Sequence, residues 1–500
     1  MSSGPDLRPT APSELDLDLI HAAAEGDLAL VRSLLAAGAH VNARHESGTT
    51  PLLAAALSGQ VEAARILLTA GADTEMRYRN DATALVLVAI QNDIEIARVL
   101  LAHGANVNAG AKEGTTALLA ASATGNIEMV RALLDAGASL EQTDKSSVTA
   151  LLAAIANDRM DAVRLLVDAG ADVNAACHNG SAVQFAAAKG DVAMLRLLLG
   201  RGARPEAALG QAPLLMAAAN EHTEAVRALV EAGANVNVRD ENGVTALLVA
   251  AVNGQADMVK LLLDAHANPN VLAARIESVQ PVRVTNGHAP ELEPADFAPT
   301  ITSAAGEIGT SPLMVASLHG HTAVVELLLA SGANRNVLDA SGATALLAAA
   351  MNGHAATAEV LLDGDAGRAT AREHGGRALL AAVLSSHPAV VDALLRHGVD
   401  PNSQSESRNP ALLVAVVNGQ KEMARALLAS GAKVNGADPN GTTPLIFAAA
   451  EGNIELANMM LAAGADVNLR TTQGLTAMMA AGLSDCWELV GKLKQAGAVE

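Results

Sequence analysis

"TTPLLAAALSGQ" (residues 49–60), followed by "VEAARILLTAGADTE" (61–75), decides the fold. Thr50 offers a side-chain oxygen to the free amides of a helix start. Pro51 stands at the first helical position, where a missing N–H costs nothing. Gly59 ends this short helix. A second one, "VEAARILLTA", turns Leu67 and Leu68 toward its neighbours. Gly71 ends that helix, because the residue past a helix end often takes the left-handed conformation that suits glycine. A loop then leads onward. One such hairpin cannot bury its apolar faces alone, whereas stacked copies share a core.

The copies are present. The glycine of the Gly-Ala pair falls at Gly38, Gly71, Gly104, Gly137, Gly170, Gly202 and Gly233. His266 holds the next place. The series resumes at Gly332, passes Asp365, and continues through Gly398, Gly431, Gly464 and Gly497. Fourteen units therefore cover about 16–270 and 310–500. In phase with them run "TTALLAASATGN" (115–126), "VTALLVAAVNGQ" (244–255), "TSPLMVASLHGH" (310–321) and "TTPLIFAAAEGN" (442–453). Thr116, Thr245 and Thr443 repeat the cap, and Pro213, Pro312 and Pro444 the first-turn proline.

The pattern resembles the ankyrin repeat, whose units read G-x-T-P-L-H-x-A-A-x-x-G-H, then V-x-x-L-L, then G-A-D-V-N. The resemblance implies an all-α, ankyrin-repeat solenoid of stacked helix-turn-helix units with projecting loops. One departure is systematic. The family's His after T-P-L is mostly Leu here (Leu53, Leu119, Leu152, Leu248), so apolar packing replaces a hydroxyl–imidazole link.

The rule breaks once, at "LLLDAHANPN" (261–270). His266 replaces the glycine; His tolerates positive φ better than most residues, so the helix end is expected to survive. Asp365 is read as the same substitution. Residues 271–309 carry Pro281, Pro290, Pro294 and Pro299 and show neither helical nor strand periodicity. The organisation expected is thus a disordered tail (1–15), repeats 1–8 (16–270), a proline-containing, disordered loop insertion (271–309) and repeats 9–14 (310–500). The insertion leaves and returns on the loop edge, so stacking is expected to continue past it.

Composition narrows the function. Half of the 500 residues are hydrophobic but only 1% are aromatic, so Leu, Ala, Val, Ile and Met must build the core. A net charge of −20 argues against nucleic acid, which needs a basic footprint, and against anionic lipid surfaces. Cys177 and Cys486 form no disulfide framework or zinc motif. Neither a signal peptide nor a membrane span is evident, so a soluble cytoplasmic protein is expected, the nucleus being open to it as well.

Nothing outside the repeats is long enough to fold alone, and no phosphate-loop, zinc-protease or C-x-x-C motif occurs. "LDLDL" (15–19) reads as the acidic entry to the first helix. The "HGH" at 319–321 reads as the family's Gly-His corner preceded by a surface His319. Cys486, beside Trp487, reads as terminal packing, and Cys177 as a loop thiol. No cofactor and no metal are expected.

The resemblance places partner contacts at the loop tips and at the end of each first helix, just before its corner. The two residues there are Leu57-Ser58, Ile90-Gln91, Ala156-Asn157, Ala219-Asn220, Val252-Asn253, Leu318-His319, Met351-Asn352, Leu384-Ser385 and Val417-Asn418. An aliphatic residue followed by an amide suits an apolar ladder whose Asn side chains both donate and accept; equally, the aliphatic residue can be half-buried and the Asn can cap its own helix. The expectation is a non-catalytic, monomeric adaptor that binds another protein on the concave face. A subunit that positions an enzyme in trans, and an enzyme with its site in the insertion, are the alternatives.

Replacing 271–309 by a six-residue turn such as "VRDENG" (238–243) is expected to leave the fold intact, because loop-closure cost grows only slowly with length. Limited proteolysis should cut first within 275–305. Loss of cooperative melting on deletion, or protection from protease, would make the segment a packed element.

Overall fold

In the computed structural model, residues 12–206, 210–273, 309–339, 342–405 and 408–499 are described. Twenty-eight α-helices account for nearly all regular structure among them. Strand is confined to one two-residue hairpin, Ala176–Cys177 with Gly180–Ser181, and three isolated bridges. The described residues up to Asn235 form one compact unit and those from Val236 onward a second. Each is built from seven helical hairpins.

Within a repeat the sequence rules are visible as geometry. Thr50 caps Pro51–Leu57 by accepting the Leu53 amide at 3.2 Å. Thr116, Thr245 and Thr443 do the same for Leu119, Leu248 and Ile446. Each such cap is worth about 1 kcal/mol. Leu53, Leu152 and Leu248 are 1%, 1% and 0% exposed. At roughly 1.5–3 kcal/mol per buried Leu side chain, this row contributes more than the caps. First helices pack on first helices and second on second, as in Pro51–Leu57 against Ala84–Gln91 and Val61–Thr69 against Ile94–Ala102.

Two hydrogen-bond ladders join neighbouring repeats. On the loop side, the last residue of the G-A-x-x-N stretch grips the next repeat. Asn42 Oδ1 accepts the Asp73 amide at 2.7 Å, Asn108 Oδ1 that of Ser139 at 2.8 Å, and Asn174 Oδ1 that of Arg204 at 2.9 Å. Where Asn is replaced, a glutamate serves: Glu75, Glu141 and Glu206 accept the amides of Asn106, Asp172 and Asn235. The second unit continues the device with Asn237, Asn402, Asn435 and Asn468. On the other side, the His or Gln after several corners donates to the last turn of the preceding first helix. His321 Nε2 donates to the Val252 carbonyl at 2.9 Å, and His354 and His387 to those of Leu318 and Met351 at 2.9 and 3.1 Å. The imidazole lies so close over the preceding corner that a Cβ on Gly254 would meet His321 Nδ1 at 2.6 Å. The corner glycine is needed for that approach as well as for its φ of 70°.

The break at "LLLDAHANPN" is local. His266 takes φ 65°, and its helix ends in register. Asn270 Oδ1 accepts the Asn334 amide at 2.8 Å and its Nδ2 donates to the Gly332 carbonyl at 3.1 Å. The rung thus skips directly to the ninth repeat. Ala273 and Thr310 form an antiparallel bridge, with Val271 and Ala273 buried. The inserted stretch is therefore narrower than 271–309: its first three residues and last one belong to a loop hairpin. Residues 274–308 lie outside the described ones. So do residues 1–11 of the expected tail, whose final residues are helical: Ser13 caps Glu14–Glu25 in a reciprocal capping box with Asp16.

One expectation fails. Asp365 does not end a second helix. Ala355–Leu362 stops earlier, Gly364 turns at φ 72°, and Asp365 lies in the first turn of Gly364–Leu384, a 21-residue helix that replaces the projecting loop of this repeat. The stretch lacks the Asp-x-x-Gly turn that closes other loops, where Asp240 accepts the amides of Asn242 and Val244. Arg368 pairs with Asp365 one turn back, and the Ala and Arg residues favour helix against the cost of Gly367, Gly375 and Gly376 in its interior. The side-chain rung persists in altered form, with Thr370 Oγ1 donating to Asn336 Oδ1 at 2.9 Å. Glu359 braces the neighbouring second helix, accepting from His397 Nε2 at 2.9 Å and from Arg396. The His397 bond holds its carboxyl below the ordinary carboxylate value, against a rise from burial and with further lowering by Arg396.

Asn270→Ala removes both hydrogen bonds of one rung and should cost about 1–2 kcal/mol, read from urea unfolding; an unchanged midpoint would show the rung to be idle. Glu359 favours its ionised form in the fold, so its contribution is full above the ordinary value of 4.5 and fades as pH falls through the lowered one. Glu359→Gln should therefore melt below the parent at neutral pH, and the gap should narrow in acid. A gap independent of pH would refute the ionic brace.

Candidate functional site

The ends of the first helices are positioned by the corner ladder, which ties each to its neighbour. Most of their sequences are apolar almost to the end, and in some repeats the final apolar residue projects past the core. Ile90 is 53% exposed, Met351 52% and Val417 48%. Leu57, Val252 and Leu318 occupy the same position but are half-buried. Ala156 is half-buried and Ala219 buried.

The polar residues behind them behave unequally. Asn157, Asn220 and Asn352 turn their Nδ2 groups back onto carbonyls of their own helices, Ala153, Met216 and Ala348, at 2.8, 3.0 and 2.9 Å. That leaves the oxygen and one N–H for a partner. Asn253, Asn418 and Ser58 are exposed. Gln91 Nε2 reaches the Leu57 carbonyl at 3.4 Å. His319 is half-buried rather than a surface group. Its Nε2 has no hydrogen-bond partner, and burial, then the charges of His321 and His354, push its pKa down.

Leu384, already in this set, and two further side chains are strongly exposed. Leu384 is 60% exposed, Leu483 80% and Trp487 68%. Leu384 ends the long helix, at the position the corner rule marks. Leu483 precedes a corner written Ser-Asp-Cys instead of Asn-Gly-His, and Trp487 opens the last second helix. Neither Leu483 nor Trp487 is among the expected contact residues. The signal for both is the same: a large apolar residue beside a corner.

The remaining candidates are structural. Cys486 occupies a corner-ladder position, its Sγ 3.9 Å from the Gly452 carbonyl. Cys177 is buried in the hairpin, 3.4 Å from the Gly180 carbonyl. Among the described residues, no three His, Cys, Asp or Glu side chains are grouped to hold a metal, and no helix is long and apolar enough to cross a membrane.

A family model for ankyrin repeats in sets of three copies matches residues 19–111, 108–177, 183–273, 313–405, 379–471 and 412–498. The chain belongs to the ankyrin-repeat family. Ankyrin repeats are in general modules of protein–protein interaction. No curated protein matches the chain.

Proposed function

We propose that the chain is a non-catalytic scaffold that binds another protein across the ends of its first helices, the concave face of an ankyrin stack. One observation carries the reading. Large apolar side chains stand in water at a single recurring position, at Ile90, Met351, Leu384, Val417 and Leu483. Most residues of the same types elsewhere in the first helices are buried or half-buried, with Leu15 and Met479 exposed at 42% and 41%. Exposed apolar surface that recurs in register favours a binding surface over scattered exposure, which needs no explanation. With one Trp and one Tyr in the chain, aromatic anchors are scarce, so affinity accumulates over several repeats.

Capture of partners on the immobilised full chain, compared with Ile90→Asp and Val417→Asp, tests this. These positions are exposed, so the variants should fold. A specific protein should be retained by the parent and reduced about tenfold or more by at least one variant, as for an interface residue of high energy. If both variants and the parent retain the same proteins equally, the first-helix ends are not the binding surface.

A further inference from the structure

The exposed apolar positions are not shared evenly between the two units. In the first, the residues before the corners include Ala156, Lys189 and Ala219, and Ile90 is the only large apolar one that is exposed among the described residues. In the second, five consecutive repeats present Met351, Leu384, Val417, Ala450 and Leu483, all exposed. The helix segments that carry them read "ALLAAAM" (345–351), "ALLAAVL" (378–384), "ALLVAVV" (411–417), "PLIFAAA" (444–450) and "AMMAAGL" (477–483), without a single charge. One turn back, Ala381, Val414 and Phe447 are half-buried and widen the strip. Hydrogen bonds across the corners, from His387 to the Met351 carbonyl, Gln420 to Val383 and Ser484 to Ala449, keep neighbouring segments side by side.

Building on the interaction role above, we propose that this strip receives an amphipathic α-helix of the partner protein, laid along the repeats, with an apolar residue at every seventh position and basic residues over the last two repeats. Spacing selects the helix. Packed helices lie about 8–10 Å apart, so the strip offers one apolar side chain about every 10 Å. Seven residues of α-helix rise about 10.5 Å. Their drift of about 20° per seven residues amounts to about 80° over the four steps from Met351 to Leu483, within a helical stripe of about 100°. An extended strand fits poorly. Same-face residues recur at about 6.7 or 13 Å, and the step near 10 Å turns the side chain to the opposite face.

Charge selects the composition. Among the corner residues of these repeats the only carboxylates are Glu451 and Asp485, and neither has an ion-pair partner among the described residues. On the adjoining second helices Lys421 pairs with Glu455 and Glu488 with Lys492. Trp487 stands beside Asp485, where its ring face can take a cation. The apolar strip therefore ends in an acidic, aromatic corner that suits Lys or Arg.

Trp487 is the only Trp in the chain, so its fluorescence reports the site directly. The full chain is titrated with a synthetic helical peptide of five seven-residue units, Leu at one position of each, Ala and Gln elsewhere, and Lys in the last two units. A control peptide has the same composition with Leu every fifth residue. Saturable binding is expected, with a blue shift of Trp487 emission and a gain of peptide helicity. Binding should be about tenfold or more weaker for the control peptide and for Leu384→Asp, whose melting should match the parent. The double variant Glu451→Gln, Asp485→Asn should bind more weakly and lose most of the salt dependence. No saturable binding of the patterned peptide, equal binding of the control, or full affinity of Leu384→Asp overturns the proposal. If Ile90→Asp abolishes capture of the protein partner while Leu384→Asp leaves it intact, the scaffold role stands and the helix-docking proposal falls.

Discussion

A carboxamide or carboxylate that holds a backbone amide one repeat away is the constraint on which the rest depends. Each hairpin is too small to bury its own apolar faces, so it must be held in register against a neighbour. Packing of Leu and Ala rows supplies most of the free energy but is tolerant of sliding, because those rows are nearly uniform. The Asn42–Asp73 contact and its successors are directional and short, so they fix the phase. The corner ladder of His222, His321, His354 and His387 fixes the other edge. Together they explain why glycine, asparagine and histidine recur at set intervals in a chain otherwise made of alanine and leucine.

The same arrangement separates structure from function along each first helix. Its first turn is capped by Thr and buried. Its last residue is covered by the neighbour to a degree that differs from repeat to repeat, from buried Ala219 to exposed Leu384. Variation there is what distinguishes one repeat from the next: Lys189 bonds to the Ala156 carbonyl and to Asp158, whereas Leu384 and Leu483 meet only solvent. A binding surface can therefore be written on the repeats one residue at a time.

Much of this was legible in the residues themselves. The period, caps and terminators gave the helices, and His266 could be recognised as a tolerable left-handed residue. The partner of each rung was not legible, because an amide some thirty residues ahead carries no mark in the sequence. Nor does the sequence show that Glu75, Glu141 and Glu206 replace Asn in the same task. The helix at Gly364–Leu384 was missed because the repeat pattern predicted a loop there, and its glycines gave no helical signal against that. In the candidate site, the position was readable but the exposure was not. Whether Leu318 or Leu384 is covered depends on neighbouring repeats.

The rung at Asn270 has a consequence for how the chain is put together. The eighth and ninth repeats meet through Asn270, Gly332 and Asn334, through His321 and Val252, and through the Ala273–Thr310 bridge, all outside 274–308. None of these contacts requires the chain to be continuous through that interval. Two separately made polypeptides, one ending and one beginning there, would between them keep all of these groups.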